Sequence, residues 1–120
     1  MEIGLDFVRG VVRVLEEKKG EDILVLDMRE VSVVADYFIL VSGTSPPHLK
    51  ALSREVEEYA DKNNIRLLRH EGYRGGNWLL LDYGNIVIHF FDPQTREFYN
   101  LEWLWGDARR LELNETETGN

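Results

Sequence analysis

Two apolar runs separated by a polar turn form the most regular pattern in the chain, WLLLDYGNIVIHFF at residues 78–91. The DYGN sequence between the runs is typical of a turn, so the segment is predicted to be a β-hairpin. Placing Leu81 opposite Ile86 puts Trp78 opposite His89, and strand alternation then separates two faces. The core face holds Leu79, Leu81, Ile86, Ile88 and Phe90; the other face, a candidate binding surface, holds Trp78, Leu80, Val87, His89 and Phe91.

Apolar residues at helical spacing predict two long helices. The first covers residues 1–19 and is ended by Gly20. The second follows Ser45, which is the expected N-cap, has two prolines in its first turn and ends at residues 63–64. The apolar positions are Leu5, Val8, Val12 and Leu15 in the first helix and Leu49, Leu52, Val56, Tyr59 and Ala60 in the second.

Short apolar runs predict the remaining strands, at residues 23–26, 37–41 and 65–69. The mixed polar segment 27–36 joins the first two of these strands. It forms either a tight turn with irregular pairing or a longer hairpin that includes its three valines. The sequence alone leaves both alternatives open.

The chain beyond the hairpin begins with Asp92 and Pro93, which suit the cap and the first position of a helical turn. Apolar residues at i, i+3, i+4 and i+7 then predict a short helix within residues 101–108. Residues 112–120 contain one large apolar residue and are expected to be a disordered acidic tail. The whole pattern predicts one α/β domain at residues 1–111, with a mixed sheet of about five strands flanked by helices.

The composition fits a single cytoplasmic domain. With 120 residues, 43% of them hydrophobic, the chain is long enough to bury a core. It has no cysteine, which excludes disulfides, thiol catalysis and thiolate metal sites. Neither an export signal nor a run of 18 apolar residues occurs, so we expect no membrane association.

The charge balance favours a basic partner. Asp and Glu number 22 against 14 Lys and Arg, which gives a net charge of −8 at pH 7. Such a charge disfavours direct binding to a phosphate backbone and favours encounter with a basic protein. Acidity can also serve only to keep a small protein in solution, and charge alone does not separate these alternatives.

Catalytic chemistry has little support in the sequence. Residues 42–45 precede a helix, where backbone N–H groups can bind phosphate, but the segment lacks the glycines and lysine of a P-loop. A capping role is therefore favoured. No carboxylates occupy adjacent strand positions suited to magnesium, and His48, His70 and His89 have no metal-ligand spacing. We expect no enzyme activity, cofactor or metal.

Aromatic residues are concentrated in the last third of the chain, where they either fill the core or anchor a partner. Trp103 and Trp105 are two positions apart in the predicted helix, so one narrow helical face cannot bury both. His89, which is opposite Trp78 in the predicted pairing, is either an interface residue or simply packed.

Four segments together resemble the ribosomal silencing factors, also called the Iojap-like or RsfS family. The segments are ADYFILVSGTS (35–45), HEG (70–72), WLLLDYGNIVIH (78–89) and REFYNLEWLWGDA (96–108). The resemblance spans about residues 5–108, and its specificity comes from the combination of segments. The two prolines after Ser45 and the acidic residues after Leu111 depart from the family pattern.

The resemblance implies a fold like that of nucleotidyltransferases without their activity, and residues 65–69 lack the carboxylate pair of such an enzyme. It also implies binding to the large ribosomal subunit through ribosomal protein fourteen, at the face where the small subunit docks. Binding there blocks subunit joining and lowers translation when nutrients are scarce. Family members are also associated with large-subunit maturation, and many are homodimers when free.

We therefore expect a non-enzymatic steric inhibitor, whose acidic side chains pair with Lys or Arg of a basic partner and whose aromatic side chains are desolvated anchors. The alternatives are an RNA-binding ribosome assembly factor and an active nucleotidyltransferase that uses residues 42–45. The predicted partner-binding residues are Trp78, Asp82, Tyr83, His89, Tyr99, Glu102 and Trp105.

Overall fold

The computed structural model describes residues 4–72, 77–99 and 109–111, except for the side chains of residues 98, 99 and 109. The predicted helix at 101–108 and the predicted tail at 112–120 lie outside the described residues. The elements are α1 (Leu5–Glu17), β1 (Glu21–Asp27), β2 (Tyr37–Ser42), α2 (Pro46–Lys62), β3 (Arg69–Gly72), β4 (Trp78–Asp82), β5 (Ile86–Phe91), α3 (Pro93–Tyr99) and β6 (Arg109–Leu111).

The strands form one mixed sheet in the order β3-β4-β5-β2-β1-β6. β2 and β5 are parallel, and the other neighbouring pairs are antiparallel. The predicted α/β domain with a mixed sheet is confirmed. The sheet has six strands rather than about five, because the short β6 pairs with β1, with Leu111 opposite Val25.

The hairpin is confirmed, but its predicted register is wrong by two residues. Trp78 lies opposite Phe91 rather than His89. The turn is shorter than predicted: the Tyr83 N–H donates to the Ile86 carbonyl at 2.9 Å, and the turn includes Gly84 with φ of 99°. Because a shift of two residues keeps every side chain on its face, the two predicted faces are unchanged.

The strand predicted at residues 65–69 is also wrong. β3 begins only at Arg69, which lies opposite Asp82 of β4. The Ile65 N–H instead donates to the Ala60 carbonyl at 2.9 Å and closes the end of α2. Ile65 and Leu67 pack against the core from outside the sheet, so their apolar character comes from packing and not from strand pairing.

The connection between β1 and β2 follows the irregular alternative. The Met28 N–H donates to the Asp36 carbonyl at 2.7 Å, after which the backbone turns without a strand ladder. The longer-hairpin alternative is wrong. Val33 and Val34 project from this connection with exposed fractions of 103% and 79%.

Both predicted long helices are confirmed, although α1 begins only at Leu5, after Gly4, which provides no side-chain cap. α1 ends at Glu17, three residues before Gly20. The Ser45 side chain accepts a hydrogen bond from the His48 N–H at 3.2 Å and caps α2, which ends at Lys62 with Asn63 as its C-cap.

The core lies between one face of the sheet and the helices α1 and α2. The strand residues Ile39, Ile88 and Phe90 are fully buried there against Leu15 of α1 and Leu52 of α2. The opposite face carries two smaller apolar clusters, so the sheet is apolar on both sides. The buried members of these clusters are Leu26, Met28, Leu40 and Phe91, and Ala35, Leu80 and Val87.

Candidate functional site

The predicted partner-binding residues do not share one surface. Trp78, Asp82 and His89 lie on the face of the sheet away from α1 and α2, whereas Tyr83 is packed in the core beneath those helices. Tyr99 is the last residue of α3. The side chain of Tyr99, and Glu102 and Trp105 entirely, lie outside the described residues.

Trp78 is a half-buried aromatic residue that is held by its neighbours. Its indole Nε1–H donates to Nδ1 of His89 at 3.2 Å, and its ring lies 5.8 Å from that of Phe91. The hydrogen bond is diagonal in the ladder, because His89 lies opposite Leu80. One side of the indole is therefore fixed while part of it remains accessible.

His89 is buried, with an exposed fraction of 5%. Burial lowers its pKa to about 4, so the imidazole is neutral at neutral pH. Since Nδ1 accepts from Trp78, the ring hydrogen is assigned to Nε2. Phe38 packs on the imidazole with its edge, at a centroid distance of 5.2 Å. The buried His89 side chain thus fixes the orientation of the Trp78 indole.

Arg96 is a buried residue of this face that sequence reasoning missed. Its Nη1 donates to Ser42 Oγ at 2.8 Å, and its guanidinium lies 5.7 Å from the Phe91 ring centroid. The first turn of α3 brings it there, because the Asp92 side chain accepts the Thr95 N–H at 2.7 Å. The available sequence signal was the cap at Asp92 followed by an arginine one turn later.

The Asp82 side chain stabilises the hairpin turn through hydrogen bonding. Its Oδ1 accepts the Gly84 N–H at 2.8 Å, and its Oδ2 lies 3.5 Å from Arg69 Nη2. The carboxylate is partly exposed, so one end of β4 carries a negative charge on the same face as Trp78.

Tyr83 belongs to the opposite face and is 3% exposed. Its ring packs edge-on against Phe7 of α1, with centroids 5.4 Å apart. Burial, with a further contribution from the Glu57 charge, raises the pKa of the phenol well above its ordinary value.

Comparison with known proteins places this arrangement in a family. A family model described as ribosomal silencing factor during starvation, RsfS, matches residues 5–120. The chain belongs to the ribosomal silencing factor family.

Similar proteins occur in bacteria and in organelles. A ribosomal silencing factor from Bacillus subtilis is 43% identical over 99 residues, which cover 82% of this chain and 84% of the relative. A mouse protein named mitochondrial assembly of ribosomal large subunit protein 1 is 35% identical over 98 residues, which cover 79% of this chain and 43% of that protein.

Solved structures show the same fold. A crystal structure of a protein from Chromobacterium violaceum superposes with a TM-score of 0.82 at 32% identity, covering 88% of each chain. A second, from Bacillus halodurans, gives a TM-score of 0.79 at 31% identity and covers 91% of this chain and 99% of the other.

In this member of the silencing factor family, the segment at residues 42–45 is occupied by internal contacts. Ser42 accepts from Arg96, Ser45 caps α2, and the Thr44 N–H donates to His48 Nδ1 at 2.9 Å. The predicted capping role is confirmed. Within the described ranges, no three His, Cys, Asp or Glu side chains are grouped to hold a metal ion, and no helix has the length and apolar character needed to cross a membrane.

Proposed function

We propose that this protein is a translation repressor that binds the large ribosomal subunit through the basic ribosomal protein fourteen. The bound protein blocks association with the small subunit and has no catalytic role. Membership of the ribosomal silencing factor family supports this proposal, as do the names of its bacterial relatives. The name of the mouse relative supports an additional role in large-subunit maturation.

The observation that carries the proposal is the fixed, partly accessible indole of Trp78. Large aromatic side chains held in place before binding make effective anchors, because little conformational entropy remains to be lost. The bond to His89 and the contact with Phe91 supply that preorganisation. An anchor of this kind favours a protein surface with a complementary pocket.

The charge of the chain supports a basic protein as the partner. The net charge is −8, and Asp82 adds a carboxylate to the face that carries Trp78. Opposite charges accelerate encounter and fix the orientation of the complex. The same net charge opposes direct contact with ribosomal RNA.

The full proposed partner site joins residues with different roles. Trp78 and Asp82 contact the partner and His89 supports Trp78, whereas Tyr83 packs on the opposite face of the sheet. The proposed site also includes Tyr99, Glu102 and Trp105. In this proposal the protein is cytoplasmic and forms a homodimer when it is free.

Sedimentation with purified large subunits tests the proposal. Trp78→Ala is expected to weaken binding by more than about 1 kcal/mol, a fivefold or larger loss of affinity, because an anchor is removed. Leu68→Ala is the matched control, since it truncates another exposed apolar residue, with an exposed fraction of 61%, outside the proposed site. Thermal unfolding of both variants establishes that the domain remains folded.

Unchanged sedimentation of a folded Trp78→Ala protein would refute the assignment of Trp78. Steeply salt-dependent binding to naked ribosomal RNA would instead favour an RNA-binding assembly factor. Tight binding of ATP with magnesium would favour an active nucleotidyltransferase.

A further inference from the structure

The connection between β1 and β2 carries the most exposed large apolar side chains of the described residues. We name residues 28–36 the valine loop. Val33 is 103% exposed, Val34 is 79% exposed and Val31 is 42% exposed. Outside this loop, Leu68 is the one large apolar side chain of the described ranges with comparable exposure. Single exposed apolar residues are common on proteins, but neighbouring ones mark interaction sites.

The backbone of the valine loop is held in place by hydrogen bonds. The Ser32 N–H donates to the Met28 carbonyl at 2.8 Å. The Ser32 hydroxyl oxygen accepts the N–H groups of Val34 at 3.1 Å and of Ala35 at 3.2 Å. Because a valine side chain has few rotamers, a fixed backbone also fixes the direction of the side chain. Docking through this loop therefore loses little conformational entropy.

Both ends of the valine loop are packed on the face of the sheet that carries Trp78. Met28 is buried and belongs to the apolar cluster against which Trp78 packs. Ala35 is also buried and clusters with Leu80 and Val87 of the hairpin. The exposed valines therefore continue the surface that has been assigned to the partner.

The valine loop and Trp78 are near opposite ends of this face. Trp78 lies opposite Phe91, which pairs with Ser42 at the end of β2, whereas the loop enters β2 at Tyr37. Five residues of strand separate these two levels, which corresponds to about 17 Å. A standard interface buries about 800 Å² on each partner, and one aromatic side chain supplies about 150–250 Å². A partner anchored on Trp78 therefore needs further contacts, and the valine loop is within its reach.

Carboxylates accompany the exposed valines. Glu30 is exposed, and no ion pair within the described part of the chain involves it. Asp36 is partly exposed and accepts a hydrogen bond from the Asn85 side chain at 3.1 Å. The cation of the loop, Arg29, is paired with the buried Asp27 at 2.6 Å. An apolar pair beside carboxylates complements an apolar recess bordered by Lys or Arg.

We propose that the valine loop is a second docking element for the basic protein that binds Trp78. Val33 and Val34 enter an apolar recess of that protein, and Glu30 pairs with a Lys or Arg side chain at its border. The role of the loop rests on the function proposed above, because both elements are assigned to one partner. Two separated contacts also fix the orientation of the bound protein on the subunit.

Sedimentation with purified large subunits tests the loop. The double variant Val33→Thr, Val34→Thr keeps the shape and branching of both side chains, but it places two hydroxyls in the recess. We expect affinity to fall about five- to tenfold, because buried hydroxyls without partners are unfavourable. The control is Leu68→Asn, an exposed apolar residue that lines a cavity with Phe7 on the helix side of the sheet, and it should lose less than about twofold.

A variant at Ser32 tests whether the fixed backbone contributes to binding. Ser32→Ala leaves both valines in place but removes the acceptor of two backbone N–H groups, so amide hydrogen exchange at Val34 and Ala35 should be faster. We expect affinity for large subunits to fall about three- to fivefold, and Ser32→Thr should restore it. Faster exchange with unchanged affinity would contradict a preorganised docking element.

A charge reversal at Glu30 tests the sign of the partner surface. Glu30→Lys is expected to weaken binding about fivefold or more, because it faces a basic side chain. Glu16→Lys makes the same charge change at an exposed position of α1 and should lose less than about twofold. Tighter binding by Glu30→Lys would identify a phosphate-bearing surface, such as RNA, and would overturn the proposal.

The failure of the loop and the failure of the proposed function give different results. A wild-type protein that does not sediment with large subunits would refute both. Weakened binding by Trp78→Ala together with unchanged binding by the threonine variant would refute the loop alone. We expect no sedimentation with phosphatidylcholine vesicles. Vesicle binding that the threonine variant abolishes would identify a lipid surface and overturn docking on a protein.

Discussion

The indole N–H of Trp78 donates to Nδ1 of His89 across 3.2 Å, although these residues are not opposite each other in the β4–β5 ladder. This bond requires an unprotonated Nδ1, because an imidazolium nitrogen carries a hydrogen and cannot accept. The orientation of a surface aromatic residue is therefore tied to the protonation state of a buried histidine. Stability and partner binding should both depend on this pair.

Stability is predicted to fall as the pH decreases from about 7 to 4. The pKa of His89 is about 4 in the folded protein, against an ordinary value of 6.5, so the unfolded chain binds a proton more readily in this interval. The lowered pKa corresponds to a loss of roughly 3 kcal/mol at the acidic end. Denaturant unfolding across this pH range measures the effect.

The comparison with His89→Asn isolates the histidine from the carboxylates, which also titrate at low pH. Asparagine keeps an acceptor near Nδ1 but has no proton to gain, so the variant should lose less stability between pH 7 and 4. His70→Asn, at an exposed position on β3, is the matched control and should follow the wild type. Parallel curves for the wild type and His89→Asn would contradict the prediction.

Partner binding is predicted to require the acceptor of His89. His89→Phe keeps an aromatic ring but leaves the indole N–H without its acceptor, so the indole loses its fixed orientation. We expect a loss of about three- to tenfold in affinity for large subunits, the effect of one hydrogen bond. Sedimentation measures it, and His89→Asn should retain more affinity than His89→Phe.

A double variant distinguishes positioning from a direct contact. If His89 acts through Trp78, adding His89→Phe to Trp78→Ala should cause little further loss of affinity. Fully additive losses would show that His89 contributes independently of the indole.

The parts of the fold that depend on neighbouring residues were predictable from sequence. The cap at Ser45 and the alternating faces of the hairpin follow from local chemistry, and both are confirmed. The register of the hairpin was not predictable from sequence, because it depends on whether two or four residues form the turn. The hydrogen bond from the Tyr83 N–H to the Ile86 carbonyl shows the shorter turn, in which Gly84 has a positive φ.

Features that depend on distant contacts were missed. β3 has the sequence RHEG and no apolar alternation; its position is set by pairing with β4, as in Arg69 opposite Asp82. The burial of Arg96 depends on Ser42, which is 54 positions away. Tyr83 was assigned to the surface of Trp78, yet it packs on the core side with Leu81. Residue alternation along β4 was the signal that could have placed it there.

Helix α3 is predicted to depend on the side chain of Asp92. Asp92 Oδ1 accepts the Thr95 N–H at 2.7 Å, so Asp92→Ala leaves a helix N-terminal donor without this partner. The expected cost is about 1 kcal/mol of unfolding free energy, and Asp92→Ser should restore most of it. Because α3 carries Arg96 to Ser42, the alanine variant should also show faster amide hydrogen exchange within α3. A loss that Asp92→Ser does not restore would show that the negative charge, and not the cap, is required.

The close contact between α1 and α2 is predicted to require a glycine at position 10. A Cβ atom built on Gly10 overlaps the Tyr59 hydroxyl, and Tyr59 is held by stacking on Phe7 at 5.9 Å between ring centroids. Alanine is the better helix former by about 1 kcal/mol, so an isolated helix would gain from Gly10→Ala. In the folded protein the overlap should reverse the sign of this effect, so that Gly10→Ala lowers the free energy of unfolding by about 1–3 kcal/mol.

Tyr59→Ala removes the clashing ring, so Gly10→Ala should become neutral or stabilising in that background. Denaturant unfolding of the four proteins in this cycle measures the coupling, and equal effects of Gly10→Ala in both backgrounds would exclude the steric explanation.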